Sequence, residues 1–125
     1  MKYLLDTQTF VWWIENDKKL SSAWRAEIGS PENTVLVSVV SAWEMSIKMR
    51  SGKLRLKTTW EDCFGGNLEF DALNVTLNHI SELQKLPLLH KDPFDRLLVA
   101  QAQAEGCTLI TSDERLRSYR VPILN

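Results

Sequence analysis

The chain has few of the features that mark specialised classes of protein. Its only cysteines, Cys63 and Cys107, lie far apart with no CxxC motif, which argues against a disulfide framework or a common zinc site and favours buried free thiols. No stretch approaches the roughly 18 apolar residues of a membrane span. The first residues, MKYLLDTQTFVWWIE, carry an Asp within their apolar run and lack the cleavage site of a signal peptide. We therefore expect a protein of the cytoplasm that does not enter a membrane.

The chain also lacks an excess of charge of either sign. Fifteen Lys and Arg face sixteen Asp and Glu, for a net charge of -1, so overall charge does not indicate nucleic-acid binding and any basic surface must be local. The 44% of hydrophobic residues is typical of a soluble globular protein. A length of 125 residues predicts one domain over residues 1–125 with one buried core.

Short apolar runs alternate with helical patterns along the chain, an order that predicts an α/β fold with helices on both faces of a parallel sheet. Four to five strands are expected, at residues 2–5, 34–38, 69–75, 107–111 and 121–124. The helices are expected at residues 8–16, 21–29, 39–50, 93–105 and after Thr76, with a short one near residues 58–64. Helical spacing predicts that Trp13 and Trp43 belong to the core, whereas His79 and His90 are expected to be surface or packing residues.

Four acidic residues lie where such a fold would bring them together. Asp6 and Asp113 directly follow predicted strands, while Glu44 and Asp95 lie in the early turns of predicted helices. In open parallel sheets the binding crevice lies outside the carboxyl ends of the strands. Two carboxylates about 4 Å apart repel by roughly 4 kcal/mol at an effective dielectric constant of 20, so such a cluster must hold protons or a cation.

Each acid also has a local explanation. Asp92, Pro93 and Asp95 are suited to positions N-cap, N1 and N3 of a helix, which accounts for both aspartates without any function. Glu44 could complete a capping box with Ser41. If Ser38 is the cap instead, Glu44 could pair with Lys48 one turn later.

Oxygen ligands without cysteine or histidine favour a hard divalent ion, Mg²⁺ or Mn²⁺. Such an ion binds phosphate oxygens and lowers the pKa of a bound water. The acids therefore predict phosphoryl transfer or phosphodiester hydrolysis.

Four segments, LLDTQTFVWW, SVVSAWEMSIK, HKDPFDRLLVAQA and TLITSDE, occur in the order and spacing seen in one known family. The chain resembles the PIN-domain family, specifically the VapC-like toxins of bacterial toxin-antitoxin pairs, over essentially its whole length. The resemblance implies a three-layer α/β/α sandwich and a Mg²⁺-dependent endoribonuclease, with Mn²⁺ as the alternative ion. It also implies an RNA substrate, a cognate antitoxin whose tail occupies the groove by the active site, and a homodimer.

Carried over position by position, the catalytic acids of the family fall on Asp6, Glu44, Asp95 and Asp113, of which Asp6, Asp95 and Asp113 would hold the metal. Supporting roles through hydrogen bonds would fall on Asp92, Thr111 and Ser112. Relatives often have histidine where this chain has Gln8, so any role of that imidazole is absent here or is taken by an amide.

An acidic site needs basic groups around it to bind a polyanion. The candidates for contacts to RNA are Lys48, Arg50, Lys53, Arg55, Lys91, Arg96 and Arg115. The segment KMRSGKLRLK is equally explained as a solvated helix end followed by a loop. Two other functions remain open, a PIN-fold binding module without catalysis and a phosphoacceptor domain. The second lacks support because Asp6 has no acidic neighbour and no strand ends in the lysine that such a domain requires.

Overall fold

The computed structural model describes residues 1–66 and 68–124, and at its centre is a four-stranded parallel sheet. The strands are β1 (Lys2–Leu5), β2 (Thr34–Ser38), β3 (Asp71–Leu73) and β4 (Thr108–Ile110), in the spatial order β3-β2-β1-β4. The predicted parallel sheet is confirmed. The third strand is shorter than expected, and the last one is reduced to an isolated bridge between Ile123 and Leu109.

In the part of the chain that the structure describes, six helices connect and cover these strands. They are α1 (Thr7–Ile14), α2 (Ser22–Gly29), α3 (Val39–Arg50), α4 (Trp60–Phe64), α5 (Leu77–Lys85) and α6 (Pro93–Glu105). A 3₁₀ turn, Glu114–Ser118, follows β4. Among the described residues no helix is long and apolar enough to cross a membrane.

Alternating residues of the strands face opposite sides of the sheet, so the described residues form two buried apolar clusters rather than the one core expected from the chain length. Leu4, Leu36 and Leu109 pack with Leu98 and Val99 of α6 on one face. The opposite face carries the side chains of Tyr3, Leu5, Val35, Val37 and Ile110, which pack with α1 and α2. Strands covered on both faces are expected to be nearly continuous apolar runs, as these are. The three-layer α/β/α arrangement is confirmed.

The strand order reverses at β1, because β2 lies on one side of it and β4 on the other. In open α/β sheets this switch point opens a crevice at the carboxyl ends of the strands. Leu5 pairs in register with Ile110, so the residues that follow them, Asp6 and Thr111, emerge side by side. The topology therefore places two candidate site residues at the same edge.

The prediction that Trp43 belongs to the core is wrong. Val39, Trp43 and Ile47 do form one stripe of α3, but they are 38%, 60% and 44% exposed. The buried side of α3 instead includes Ser41 and Glu44. Because α3 faces the acidic cleft, its buried side carries polar residues. The spacing of the apolar residues alone therefore predicts the wrong side of the helix to be buried. The Trp43 ring meets Phe94 edge to face, with the ring centres 5.0 Å apart.

His79 is a packing residue, fully buried in a polar network between α5, α6 and β2. Its Nδ1 accepts the backbone N–H of Thr76 at 3.1 Å. The Gln101 amide donates to the Asn74 carbonyl and faces His79 Nδ1 at 3.3 Å. Ser38 Oγ donates to the Gln101 amide oxygen at 2.5 Å. Because each of these buried groups is paired, the network ties two helices to the sheet.

Candidate active site

A cleft of about 420 Å³ opens at the carboxyl edge of the sheet. Its polar lining consists of Asp6, Thr7, Gln8, Glu44, Lys48, Asp92, Asp95, Ser112, Asp113 and Arg115. The four candidate acids thus come from four different segments to one cavity. The convergence that the sequence predicted is present in the structure.

Asp6 lies at the base of the cleft and is only 5% exposed. Its Oδ1 accepts the Thr9 backbone N–H at 2.8 Å and so caps α1, while its Oδ2 accepts the Thr111 hydroxyl at 2.5 Å. Burial raises the pKa of Asp6 above its usual value, and the hydrogen bonds from Thr111 and Thr9 offset part of this. Asp6 is therefore rigidly held and short of compensating positive charge.

Asp95 lies one turn into α6, where the helix start directs it to the cleft. Asp92 is the N-cap, accepting the Asp95 backbone N–H at 3.0 Å, and Pro93 follows at N1. Burial, together with the negative charges of Asp92, Asp6 and Glu44, raises the pKa of Asp95 to about 6. The capping explanation and the cleft position therefore hold at once, since Asp92 fixes the start of the helix that carries Asp95.

Glu44 is 5% exposed and is paired on both oxygens. Thr7 donates its hydroxyl to Oε1 at 2.6 Å, and Lys48 Nζ lies 2.6 Å from Oε2. Ser38 is the N-cap of α3, so of the two local explanations for Glu44 the structure has the pair with Lys48. The ammonium is thereby fixed at the cleft wall.

Asp113 sits at the rim, where it caps the 3₁₀ turn and pairs with Arg115. Arg115 Nε and Nη2 lie 3.0 and 2.8 Å from its two carboxylate oxygens. The hydrogen bonds from this guanidinium lower the pKa of Asp113. Two acids of the site, Asp6 and Asp95, are therefore harder to ionise, whereas Asp113 stays ionised.

The sequence predicted that His90 is a surface or packing residue, and in the structure this residue contacts two of the acids. It is 8% exposed, and its Nε2 lies 3.1 Å from Asp95 Oδ2 and 3.4 Å from Asp113 Oδ2. The only signal for this contact in the sequence was the position of His90, two residues before Asp92. Among the described residues, His90, Asp95 and Asp113 offer atoms within 4.8 Å of one another, a spacing that suits a metal ion.

The supporting residues and the basic residues divide by location. Thr111 joins Asp6 to the Asp113 backbone, whose N–H it accepts at 3.0 Å, and Ser112 lines the cleft. Of the seven basic candidates, Lys48 and Arg115 line the cleft. Arg55 lines a second groove along α1 that shares Gln8 and Val11 with the cleft.

The remaining basic candidates are further from the acids or already engaged. Arg50, Lys53 and Lys91 are exposed outside the cleft lining. Arg96 donates to the Leu86 carbonyl at 3.3 Å, so its guanidinium holds the loop before α6. The structure thus places two of the seven beside the acids and a third in the adjoining groove.

The donor set fits a divalent cation. Carboxylate oxygens predominate, and the pKa values of Asp6 and Asp95 are raised partly by the negative charge of the other acids. A bound cation would relieve that repulsion and favour the ionised forms. The arrangement can therefore bind a hard metal ion and, through it, a phosphate oxygen.

Comparison with known proteins gives consistent matches. A model of the PIN domain matches residues 3–122. Ribonuclease VapC22 of Mycobacterium tuberculosis is 28% identical over 123 residues, which are 95% of this chain and 92% of that protein. The fold is shared with VapBC2 from Rickettsia felis bound to a DNA fragment from their promoter, at a TM-score of 0.74 and 19% identity, over 100% of this chain and 98% of that chain. It is also shared with FitAcB from Neisseria gonorrhoeae, at a TM-score of 0.75 and 17% identity, over 98% and 96%. Since the family model spans nearly the whole sequence, the chain belongs to the PIN domain family.

Proposed function

We propose that the protein is a Mg²⁺-dependent endoribonuclease and the toxin of a toxin-antitoxin pair. The observation that carries this proposal is the convergence of Asp6, Glu44, Asp95 and Asp113 on one cleft, where two of the acids have raised pKa values. Similarity to a ribonuclease, VapC22, supports RNA as the substrate. Mn²⁺ is the alternative ion, because its oxygen ligands and octahedral geometry are the same.

The three acids proposed as metal ligands are Asp6, Asp95 and Asp113. Bound there, Mg²⁺ would supply a nucleophilic water near neutral pH and neutralise charge on the phosphate. Thr111 and Asp92 orient the ligand carboxylates through the hydrogen bonds described above. Glu44 holds the Lys48 ammonium at the cleft wall, where it can contact a phosphate oxygen.

We propose that the RNA strand continues from the cleft into the groove along α1. That groove is lined by four basic side chains, Lys18, Lys19, Arg55 and Lys57, with two acids, Glu15 and Asp17, and the ring of Trp12. Both acids are engaged by backbone N–H groups, those of Lys57 and Lys19. A basic groove with an aromatic ring suits single-stranded nucleic acid, in which bases stack and phosphates pair with cations.

Asp6→Asn tests the proposed function. We expect the purified variant to lose Mg²⁺-dependent cleavage of single-stranded RNA by at least about 10³-fold, because a metal ligand worth several kcal/mol in the transition state is removed. The measurement is a single-turnover rate at saturating RNA, with and without EDTA. Glu32→Gln, an exposed acid in the turn after α2, is the matched control and should cleave as the wild type does. Binding of RNA by the wild type without cleavage in Mg²⁺ or Mn²⁺ would instead favour the non-catalytic binding module.

An antitoxin partner is supported by the solved neighbours, which include a toxin-antitoxin complex from Klebsiella pneumoniae at a TM-score of 0.64 and 16% identity, over 98% of this chain and 96% of that chain. We propose that a cognate antitoxin covers the cleft. We also propose that residues 1–125 form a single domain and that the protein acts in the cytoplasm, where its RNA substrate is found and where thiols are expected to stay reduced. Both cysteines are free and buried.

We further propose that the protein is a homodimer in which the exposed stripe of α3 is buried. Trp43, Val39 and Ile47 leave a continuous apolar surface on one helix face, and Phe94 of α6 extends it. Exposed apolar patches with aromatic residues mark protein interfaces. A second copy of the chain would cover this stripe with its own, so that the same apolar surface is buried on both subunits.

Trp43→Glu is expected to convert the dimer to a monomer, because a charge would have to be buried at the centre of the interface. Size-exclusion chromatography with light scattering measures the mass directly. Ala23→Glu adds the same charge to an exposed position of α2 and should leave the dimer intact. A Trp43→Glu variant that remains dimeric would place the interface elsewhere.

A further inference from the structure

We propose that His90 is a positioning residue, whose Nε2 donates to Asp95 and Asp113 and so bridges them without binding the metal itself. The bridge joins the first turn of α6 to the segment after β4. Its consequence for cleavage rests on the proposed nuclease function, whereas the protonation pattern and the effect on metal binding do not.

The surroundings of the ring specify where its proton lies. Nδ1 faces the Asp92 backbone N–H at 3.4 Å. A backbone amide can only donate, so Nδ1 must be the unprotonated nitrogen. Nε2 faces carboxylate oxygens of Asp95 and Asp113, at 3.1 and 3.4 Å. These oxygens accept when ionised, so Nε2 carries the proton.

His90 is also anchored independently of the acids. Its backbone N–H donates to the Tyr119 hydroxyl at 3.0 Å, and its side chain is only 6% exposed. Solvent therefore has little access to reorient the ring. A fixed donor shared by two carboxylates from different segments holds them close in spite of their repulsion.

The same contacts argue against direct coordination. An imidazole binds a metal through an unprotonated nitrogen, and here that nitrogen, Nδ1, faces the backbone of Asp92. Coordination through Nε2 would require the proton to leave and the bonds to both carboxylates to break. His90 therefore sets the spacing of the Asp95 and Asp113 carboxylates without contacting the metal.

Two spectroscopic measurements test the assignment without any activity. In the metal-free protein labelled with ¹⁵N at histidine, long-range ¹H-¹⁵N correlation should show His90 as the Nε2-protonated tautomer. With Mn²⁺ bound, pulsed electron paramagnetic resonance should show no coupling to a directly coordinated nitrogen. A coupling present in the wild type and absent from His90→Gln would overturn the proposal, as would the Nδ1-protonated tautomer.

Two variants separate the donor from the bulk of the side chain. His90→Gln keeps an N–H donor, and His90→Leu fills similar space without one. We expect His90→Leu to weaken Mn²⁺ binding about tenfold to a hundredfold in calorimetry, as loss of a residue that orients metal ligands does, and His90→Gln to stay within about threefold of the wild type. Equal Mn²⁺ affinity of a folded His90→Leu variant would contradict the bridge, and if that variant does not fold, the tautomer of the wild type decides.

Cleavage assays add a kinetic signature. We expect His90→Leu to raise the Mg²⁺ concentration for half-maximal cleavage about tenfold while the rate at saturating Mg²⁺ changes less than about threefold, because the ligands themselves remain. A loss of rate that saturating Mg²⁺ does not restore would contradict a positioning role. Absence of cleavage by the wild type would count against the proposed function and leave the tests by spectroscopy and calorimetry intact.

Discussion

Asp95→Asn should abolish metal-dependent RNA cleavage and at the same time stabilise the metal-free protein. Cleavage should fall at least about 10³-fold, because the amide cannot provide the negative charge that a divalent ion requires. The fold should not suffer, because an amide keeps the shape of the side chain and can still be hydrogen-bonded. A variant that is less active yet more stable is expected wherever a functional site holds like charges close together.

The gain in stability follows from the raised pKa of Asp95, about 6 in the folded protein, against about 4 in an unfolded chain. The folded state binds this proton more tightly than the unfolded state does. The contribution of Asp95 to the free energy of unfolding is therefore most favourable below pH 4 and is lost as the pH rises through 6. At pH 7.5 the ionised carboxylate costs on the order of 2 kcal/mol, a penalty that asparagine removes. Urea unfolding in EDTA should show this gain at pH 7.5 and a smaller one at pH 4.5. Saturating Mg²⁺ should stabilise the wild type and not the variant.

Asp92→Ser is the matched control, since serine still caps α6 and Asp95 remains. It should retain cleavage far better than Asp95→Asn and gain less stability. Equal loss of cleavage in the two variants would make Asp92 a participant in the chemistry rather than the residue that fixes the helix start. A decrease in the stability of Asp95→Asn at pH 7.5 would mean that the carboxylate is already compensated in the metal-free protein.

The acids were predictable because each has a position fixed by local sequence. Asp6 comes directly after β1, Asp113 lies three residues beyond the end of β4, and Asp92 with Pro93 fixes the first turn of α6 and hence the place of Asp95. In a parallel sheet all strands deliver their carboxyl ends to one edge. Strand order was not needed to infer a shared cleft, although only the structure shows that β1 is the point where the order reverses.

Features that depend on distant partners were not predictable. The buried side of α3 is chosen by the cleft it faces, and the periodicity of Val39, Trp43 and Ile47 does not contain that information. The role of His90 depends on Asp113 and on Tyr119, which meet it through the fold of the last segment. Buried polar pairs of this kind leave no spacing pattern in the sequence.

Gln101→Ala should be among the most destabilising single substitutions in the part of the protein that the structure describes. Gln101 is fully buried in the middle of α6. Its amide oxygen accepts the Ser38 hydroxyl, and its amide nitrogen faces the Asn74 carbonyl and His79 Nδ1. Alanine would leave a cavity and unpaired polar groups, each of which costs about 1 to 3 kcal/mol. We expect a loss of about 3 kcal/mol in the free energy of unfolding, measured by urea denaturation.

Gln103→Ala is the control on the same helix, because Gln103 is only partly buried and its amide donates to the Arg120 carbonyl near the surface. It should cost less than about 1 kcal/mol. The network also reaches the active site, since Ser38 is the N-cap of α3, the helix that carries Glu44. Gln101→Ala should therefore lower the cleavage rate several-fold even under conditions where the variant is fully folded, whereas Gln103→Ala should not. A Gln101→Ala variant as stable as Gln103→Ala would show that the buried polar groups find other partners, such as water, when the amide is removed.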